Sequence, residues 1–419
     1  MTDKATPLRR QPLGVYRRPL GIYIHVPFCV RKCGYCGFYS VTASENLLER
    51  YTDAVKNQII SGGFVPKDVA DSGLNQFDED NYFVDSIFFG GGTPSLLSAK
   101  SMQQILGALD SVFCVDKDAE ITVEANPGTL NLEKLLAYKS AGISRISLGI
   151  QSFDDYELCQ IGRIHDTEIA LKTIEACRRV GFENLNLDLI FSLPNQTLEG
   201  WESNLKTAID ISPEHLSIYG LQLEEGTDFF ERFKAGEFDE TSDMLDRAMY
   251  HKTCDMLKDS GFKHYEISNW SRPRRECRHN LKYWNFDDYL GIGPSAASFV
   301  NGYRFEVLPS VADFMLAYKN NRYIYMQDEM NTNIFSGVHK NTLKDSAGEF
   351  AFTALRTVDG ISFDKFKSEF GIDFMKFYES EKSEIEYYIE VGYLNIDENG
   401  IRLTRNGIDI SNSIMSLFV

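Results

Sequence analysis

Three cysteines within eight residues are the part of this sequence best suited to chemistry. Cys29, Cys33 and Cys36 lie too close together for their thiols to reach separate parts of a fold. Thiolates are soft ligands that bind zinc, copper(I) or an iron–sulfur cluster. A structural zinc site usually has four protein ligands in two pairs, and no second cysteine pair follows here. Three thiolates therefore suit a cubane cluster that keeps one iron free for a small molecule, and a disulfide or a degenerate zinc knuckle is the alternative.

The elements around these cysteines are predicted to be strands of a parallel sheet. Six short apolar segments alternate with helical patterns along the first half of the chain, which predicts right-handed βαβ units. They are Leu20–Val26, Val84–Phe89, Ile121–Val123, Arg145–Ile150, Leu185–Ile190 and Leu216–Tyr219. The alternation alone does not distinguish an open sheet from a curved partial barrel. Either way, the chemistry of a parallel sheet lies at the carboxyl ends of its strands.

Unusual polar or glycine-rich residues follow three of these strands, and another lies inside a fourth one. The run Gly90-Gly-Gly-Thr-Pro94 offers backbone groups that can approach a ligand closely, with a simple tight turn as the alternative. Glu124 and Gln151 end the third and fourth strands. Asp188 lies inside the apolar fifth strand, where a carboxylate must find a partner. Taken singly, these polar residues are also compatible with ordinary loops.

Several motifs together resemble one known family. Cys-x3-Cys-x2-Cys is the motif of the radical S-adenosylmethionine (SAM) superfamily. This chain carries four further motifs besides the cysteines: Gly-Gly-Gly-Thr-Pro, Glu-x-Asn-Pro-Gly, Gln-Ser-Phe and Asp-Leu-Ile-x-x-Leu-Pro. This set is similar to the oxygen-independent coproporphyrinogen III oxidase family of radical SAM proteins, and the resemblance runs from about residue 20 to the C-terminus.

The resemblance implies a fold and a set of site residues. The implied fold is α/β, a partial (β/α)6 radical SAM barrel with a C-terminal helical, winged-helix-like domain. Cys29, Cys33 and Cys36 would hold a [4Fe–4S] cluster. The residues implied to line the SAM site are Tyr23, Tyr35, Gly91, Gly92, Thr93, Glu124, Gln151, Arg163 and Asp188.

Two features separate branches of that family. The oxidases carry a fourth cysteine two residues beyond the third, and Phe38 occupies that position here. The chain also contains His279-Asn-x-x-Tyr283-Trp284, which resembles the HemW branch of proposed heme chaperones. The resemblance implies a protein that binds heme and transfers it to hemoproteins, with His279 ligating or orienting the heme. The alternative is a coproporphyrinogen III oxidase or another radical SAM oxidoreductase.

The residues around His279 are partly consistent with a heme site. An imidazole beside Tyr283, Trp284 and Trp270 offers an axial ligand and flat aromatic walls. Four arginines close by in sequence could pair with propionates: Arg272, Arg274, Arg275 and Arg278. No Cys-x-x-Cys-His motif exists for covalent attachment. The alternative is that His279 is a buried, hydrogen-bonded structural histidine.

Composition limits the remaining possibilities. The 419-residue chain has a net charge of −18, which disfavours nucleic-acid binding. The five other cysteines show no disulfide spacing, and Cys177 and Cys254 lie in helical patterns as small buried side chains. No apolar run is long enough to span a bilayer. We expect a cytoplasmic protein that reaches membranes only through the hemoproteins that receive its heme, and the sequence leaves a homodimer open.

Three domains are predicted. Residues 1–18 are a disordered basic tail, residues 19–300 the barrel with the cluster and SAM site, and residues 301–419 the C-terminal domain. Within that last domain, helices are expected at 347–356, 363–370 and 379–390, followed by a hairpin near 392–404 and a final helix from Arg405.

Overall fold

The structure is a computed structural model that describes residues 17–70, 81–319 and 334–419. The predicted basic tail, residues 1–18, lies outside the described residues except for its last two. Arg18 already belongs to the first strand.

The strands of the described residues begin and end as follows. They are β1 (Arg18–Val26), β2 (Phe28–Cys29), β3 (Val41–Thr42), β4 (Tyr82–Gly91), β5 (Val115–Ala125), β6 (Arg145–Gln151), β7 (Leu185–Phe191), β8 (His215–Gly220), β9 (Lys263–Glu266), β10 (Asn269–Ser271), β11 (Tyr289–Ile292), β12 (Ala297–Val300), β13 (Tyr303–Val307), β14 (Phe335–Lys340), β15 (Ile361–Ser362), β16 (Leu394–Ile396) and β17 (Gly400–Leu403).

The helices alternate with these strands in the first half of the chain and dominate its end. They are α1 (Glu45–Ile60), α2 (Lys67–Val69), α3 (Ala99–Val112), α4 (Leu132–Ser140), α5 (Asp155–Gln160), α6 (Thr167–Val180), α7 (Leu198–Ile211), α8 (Asp228–Lys234), α9 (Asp243–Asp259), α10 (Arg278–Trp284), α11 (Val311–Ala317), α12 (Leu343–Ala354), α13 (Phe363–Phe370), α14 (Phe374–Phe377), α15 (Lys382–Glu390), α16 (Arg405–Ile408) and α17 (Ser411–Met415). None of the described helices is both long and apolar enough to cross a membrane.

One twelve-stranded sheet organises the larger part of the molecule. Its order is β14-β13-β12-β11-β1-β4-β5-β6-β7-β8-β10-β9, and the seven strands from β11 to β8 run parallel. The six predicted strands are β1 and β4 to β8, and they lie side by side in chain order. Because the order never reverses, as it does in a doubly wound sheet, the sheet forms the predicted partial (β/α)6 barrel.

Alternation along each central strand separates an apolar outer face from a polar inner face. In β1, Leu20, Ile22, Ile24 and Val26 are fully buried in the core between the sheet and its helices. The intervening Tyr23 has its ring beside two aromatic rings on the other side of the strand. The same period of two places polar side chains on the inner face of three further strands: Glu120, Thr122 and Glu124 of β5, Asn186 and Asp188 of β7, and His215 and Ser217 of β8.

The C-terminal part has its own core. Residues from Ala347 to Phe418 form a second apolar cluster around Phe366 and Phe374. The predicted helices correspond to α12, α13 and α15, and the predicted hairpin is β16–β17, to which β15 adds a third antiparallel strand. The helices and this small sheet are consistent with a winged-helix-like domain.

The domain boundary that the sequence predicts between residues 300 and 301 stays a prediction. Within the described residues, β13 and β14 extend the large sheet, and Val311 and Phe314 of α11 pack into its core. The two apolar cores themselves divide near residue 341. The cores divide there because the antiparallel strands β12, β13 and β14 continue the sheet from the edge of the barrel and do not pair with the C-terminal domain.

Candidate cluster and cofactor site

The cysteine loop begins at the carboxyl end of β1. Pro27 ends that strand, and Cys29 follows in β2, which pairs in parallel with β3. The backbone N–H of Cys36 donates to the carbonyl oxygen of Cys33 at 3.2 Å and tightens the loop. All three thiols are half-buried, and every cysteine of the chain is a free thiol. The disulfide alternative therefore does not occur in this structure.

Two side chains donate hydrogen bonds to the loop sulfurs, one after β4 and one after α5. The hydroxyl of Thr93, which follows β4, lies 3.6 Å from the Cys29 sulfur. Nη1 of Arg163, which follows α5, lies 3.5 Å from the Cys33 sulfur. Both donors also contact Asn126, whose Nδ2 donates to the Thr93 hydroxyl at 2.9 Å and whose Oδ1 accepts from Arg163 Nη2 at 2.6 Å. One connected network of hydrogen bonds thus links two sulfurs to the ends of β4, β5 and β6.

Asn126 is a site residue that the sequence analysis did not select. The signal was present, because Asn126 is the asparagine of the Glu-x-Asn-Pro-Gly motif directly after β5. Its two opposite hydrogen bonds fix Thr93 as the donor to Cys29, since the hydroxyl already accepts from Asn126. Asn126 is therefore the residue that sets the direction of this chain of hydrogen bonds.

Packing requires glycine at positions 91 and 92, at the end of β4, whatever role these residues have with a ligand. A Cβ on Gly92 would lie 2.7 Å from the carbonyl oxygen of Phe28, and a Cβ on Gly91 would lie 2.7 Å from the His25 ring. Gly91 also has a φ of +114°, which favours glycine. The glycine run thus lets the end of β4 pass directly against the start of the cysteine loop.

Glu124 is held at the end of β5 with a strongly shifted ionisation. Its Oε2 accepts a hydrogen bond from the backbone N–H of Gly91 at 3.1 Å. Burial, and next the charge of Asp188, raise the pKa of Glu124 to about 8. Close to neutral pH, this carboxyl group can exchange a proton when a ligand arrives.

Asp188 finds the partners that its place inside an apolar strand requires. Its carboxylate accepts hydrogen bonds from Asn186 Nδ2 at 2.7 Å and from the Ser147 hydroxyl at 3.2 Å. Burial raises its pKa, and these hydrogen bonds oppose that rise. Asp188 and Glu124 interact through their charges, so the structure brings two of the predicted site carboxylates together.

Gln151 has an unusual backbone at the end of β6. Its φ is +71°, and the pairing of β6 with β7 shifts by a residue between Gly149 and Gln151. A left-handed conformation at a residue other than glycine costs on the order of 1 to 3 kcal/mol and is most often found at functional sites. The sequence contains no direct signal for this strain.

One of the two predicted tyrosines lies within the loop, and the other lies on the strand before it. Tyr35 sits between Cys33 and Cys36, with its ring edge-on to Phe229 at 6.4 Å, and burial raises its pKa. The Tyr23 hydroxyl is 3.1 Å from Nδ1 of His25, and the other His25 ring nitrogen is 3.3 Å from the Tyr39 carbonyl oxygen. Both ring nitrogens of His25 are therefore engaged next to the cysteine loop.

His279 is a buried side chain with both ring nitrogens engaged. Nδ1 is 3.1 Å from the Ser86 hydroxyl and Nε2 is 3.0 Å from the Tyr283 hydroxyl. The ring also stacks against Phe88 at 5.4 Å. Burial, together with the nearby Lys282, lowers the pKa of His279 to about 3. This geometry favours the structural alternative for His279 over a ligand that is open to heme.

The other expected heme contacts are only partly assembled around His279. Trp270 stacks on His264, with ring centroids 4.5 Å apart, instead of beside His279. Arg272 lies over the Phe262 ring at 3.9 Å, and Arg278 donates to the carbonyl oxygen of Asp118 at 2.9 Å. Tyr283 does contact His279, edge to face.

The barrel, with a cysteine loop at the carboxyl ends of its strands, is a radical SAM fold. Residues 23–208 match the Radical SAM superfamily model, and residues 341–410 match the HemN C-terminal domain model. The solved structure of coproporphyrinogen III oxidase (HemN) from Escherichia coli, a radical SAM enzyme, superposes with a TM-score of 0.79. It is 21% identical, covers 97% of this chain and 91% of its own, and shows the likeness of fold.

Curated relatives narrow the class to a family. Proteins named Heme chaperone HemW from Haemophilus influenzae and Lactococcus lactis are 32% and 30% identical to this chain. Each comparison covers 96% of this chain and 98% of the relative. The chain belongs to the HemW family.

Proposed function

We propose that this protein is a heme chaperone that holds a [4Fe–4S] cluster, binds SAM, and carries heme to hemoproteins. The observation that carries the proposal is the near full-length similarity to proteins named Heme chaperone HemW. The arrangement of strand-end donors around the cysteine loop supports the part that concerns the cluster.

The chemistry of the loop fits a cluster held by Cys29, Cys33 and Cys36. Thr93 and Arg163 donate to two of the sulfurs, and such hydrogen bonds stabilise the negative charge of cluster thiolates. Within the described ranges, no three His, Cys, Asp or Glu side chains lie close enough together to hold one metal ion.

SAM would lie over the strand ends next to the loop. A bound cluster supplies an electron to SAM, and the residues of the chain position the molecule. Glu124 is suited to its ribose hydroxyls, and the backbone of Gly91 and Gly92 to its polar end. The remaining proposed lining residues are Tyr23, Tyr35, Thr93, Gln151, Arg163 and Asp188.

The role of His279 is proposed in its weaker form, that of orienting heme. Both ring nitrogens already have partners, so ligation of heme iron would require His279 to give up its contact with Ser86 of β4 or with Tyr283 of its own helix. An orienting role needs no such movement, because His279 holds the Tyr283 hydroxyl in place.

A hemin titration of the anaerobically reconstituted protein tests the proposed function. We expect a new Soret band that saturates with added hemin and weakens in His279→Ala. His339→Ala, which changes an exposed histidine of β14, is the matched control. No spectral change on adding hemin would contradict the chaperone function.

The enzymatic alternative is tested on the same sample. Coproporphyrinogen III oxidase activity would appear as anaerobic decarboxylation of coproporphyrinogen III in the presence of SAM and a reductant. We expect no turnover, since Phe38 stands where the oxidases have a fourth cysteine. Cleavage of SAM without this substrate would not distinguish the two functions.

The proposed partners follow from the same function. They are heme and the hemoproteins that receive it, with membrane contact only through those proteins. The net charge of −18 supports the prediction that the protein does not bind nucleic acid. Location in the cytoplasm and formation of a homodimer stay predictions.

A further inference from the structure

A cavity separate from the cysteine loop lies at the β9 end of the large sheet, where the barrel meets the C-terminal domain. Its volume is about 450 Å³, which is within the range of small-molecule sites. Residues of α9 and β9 line one side, and residues 355–358 and 403–408 line the other. Two backbone hydrogen bonds join the sides, from Ile267 N–H to Arg356 O at 3.0 Å and from Val358 N–H to Tyr265 O at 3.2 Å.

The walls of this cavity are flat and mostly apolar. Ile267, Val358 and Leu403 contribute aliphatic surface, and His264 stacks on Trp270 with an angle of only 9° between the rings. Trp270 is 1% exposed, and within the described residues its Nε1 has no hydrogen-bond partner. A thiol, that of Cys254, and an imidazole both line the space, and these are side-chain types that bind heme iron.

Cations dominate the charged groups of the lining, although the chain as a whole is strongly acidic. Lys258, Lys263, Arg356 and Arg405 face a single carboxylate, Asp255. That carboxylate is paired with Arg405 at 2.6 Å.

Two of the remaining cations are only weakly paired. Lys263 lies 4.0 Å from Glu276, and Arg356 lies 3.9 Å from Glu266 and 4.6 Å over the Trp284 ring. Nε of Arg356 is buried and, in the part of the chain that the structure describes, has no hydrogen-bond partner. The cavity is therefore complementary to a flat apolar molecule that carries carboxylates.

We propose that this cavity between the barrel and the C-terminal domain binds the heme cargo. The macrocycle lies between the apolar walls, and its two propionates pair with Lys258, Lys263 and Arg356 at the rim. The proposal rests on the proposed heme-chaperone function, which supplies a ligand of this shape and charge. His279 does not line the cavity, but Arg356 of the lining lies over the ring of Trp284 in the same helix, so His279 would orient heme through α10 while both of its ring nitrogens stay engaged.

The test compares two matched double variants in titrations with hemin and with metal-free protoporphyrin IX. Lys258→Glu/Lys263→Glu reverses two exposed charges at the rim. Lys100→Glu/Lys206→Glu reverses two exposed lysines of α3 and α7 that do not line the cavity. We expect the first variant to raise the Kd of both probes about tenfold or more, since about 1.4 kcal/mol corresponds to a factor of ten. The second variant should bind like the unaltered protein.

Other outcomes overturn the proposal in distinguishable ways. If the unaltered protein binds hemin and both double variants bind it equally well, the cavity is not the heme site, while the chaperone function stands. An equal loss in both variants would show a general charge effect and would also overturn it. If the unaltered protein binds neither probe, the proposed function and the cavity site fail together. Circular dichroism of each variant verifies that it is folded.

Discussion

At the scale of single residues, the hydrogen bonds of Asn126 hold the cysteine loop in a fixed position relative to the end of a strand. Its amide donates to Thr93 and accepts from Arg163, and each of these side chains donates to a cysteine sulfur. The cysteines could be selected from the sequence because their spacing is itself the signal. Asn126 could not be selected in the same way, because its importance lies in two contacts between residues distant in the chain.

Replacing one loop cysteine should remove the metal cluster. In Cys33→Ser, anaerobic reconstitution should give little bound iron and sulfide, since the proposed cluster would keep only two thiolates. Cys159→Ser, which changes an exposed free cysteine at the end of α5, should keep full iron and sulfide content. Zinc in the unaltered protein, with no sulfide, would instead support the zinc alternative.

The shifted pKa of Glu124 gives a pH dependence of stability. Its pKa in the folded protein, about 8, lies above its ordinary value of 4.5. Between these values the unfolded chain is ionised at this position and the folded protein is not, so folded stability falls as the pH rises through that window. Glu124→Gln should therefore stabilise the SAM-free protein near pH 8, by on the order of a few kcal/mol, and have little effect near pH 5.

Urea denaturation of the variant and the unaltered protein at both pH values measures this effect. Glu133→Gln, which changes an exposed glutamate in the first turn of α4, is the matched control for the same substitution. An equal effect of Glu124→Gln at both pH values would contradict the assignment.

At the scale of elements, the six central strands could be predicted, and the strands added beside them could not. Each predicted strand is an apolar run that ends at a glycine or polar signal. In contrast, β11 is only Tyr289–Ile292, with a glycine inside it. It joins the sheet because it pairs in parallel with β1, a contact between residues more than 260 positions apart that no local pattern contains.

Close packing of β4 against the cysteine loop predicts a severe effect at one glycine. In Gly92→Ala, the new Cβ would lie 2.7 Å from O and 2.8 Å from N of Phe28, both backbone atoms with little freedom to move. We expect a loss of roughly 1–3 kcal/mol in unfolding free energy, as in other overpacked sites, together with poorer cluster retention.

The matched control for this glycine is Gly107 in α3. Its added Cβ would meet no atom within 4 Å. Gly107→Ala should stabilise the protein by about 0.5–1 kcal/mol, because alanine is the better helix former. Equal effects of the two substitutions in urea denaturation would contradict the packing role of Gly92.

At the scale of the whole molecule, both polar and apolar contacts join the two cores within the described residues, among them the ion pair of Arg405 with Asp255 and the packing of Phe286 against Phe350. Arg304 of β13 forms two hydrogen bonds with Glu349 of α12, at 2.6 and 2.7 Å, and a third with Tyr289 at 3.1 Å. The sequence predicts the helix that carries Glu349 but neither β13 nor the contact itself. The position of His279 shows the same limit, since its motif suggested a ligand and only the fold reveals that the ring is buried.

Removing the Arg304 contact should loosen the C-terminal domain. Arg304→Met should lower the opening free energy of α12 and its neighbours by about 1–3 kcal/mol, the range for hydrogen bonds to charged groups. Hydrogen exchange followed by mass spectrometry should show faster exchange from 343 to 418 and little change in β1 and β4. Arg402→Met, which breaks an exposed pair within the hairpin, should leave the exchange of α12 unchanged. Uniform exchange changes across both cores would contradict this role.

The central claim is that three sulfurs at the barrel mouth hold a cluster with one iron open to SAM. Electron paramagnetic resonance of the reduced, reconstituted protein with and without SAM tests it most directly. The account predicts a cluster signal that changes when SAM is added and is missing in Cys33→Ser. A signal that SAM leaves unaltered, or a reconstituted protein that contains no iron, would contradict it.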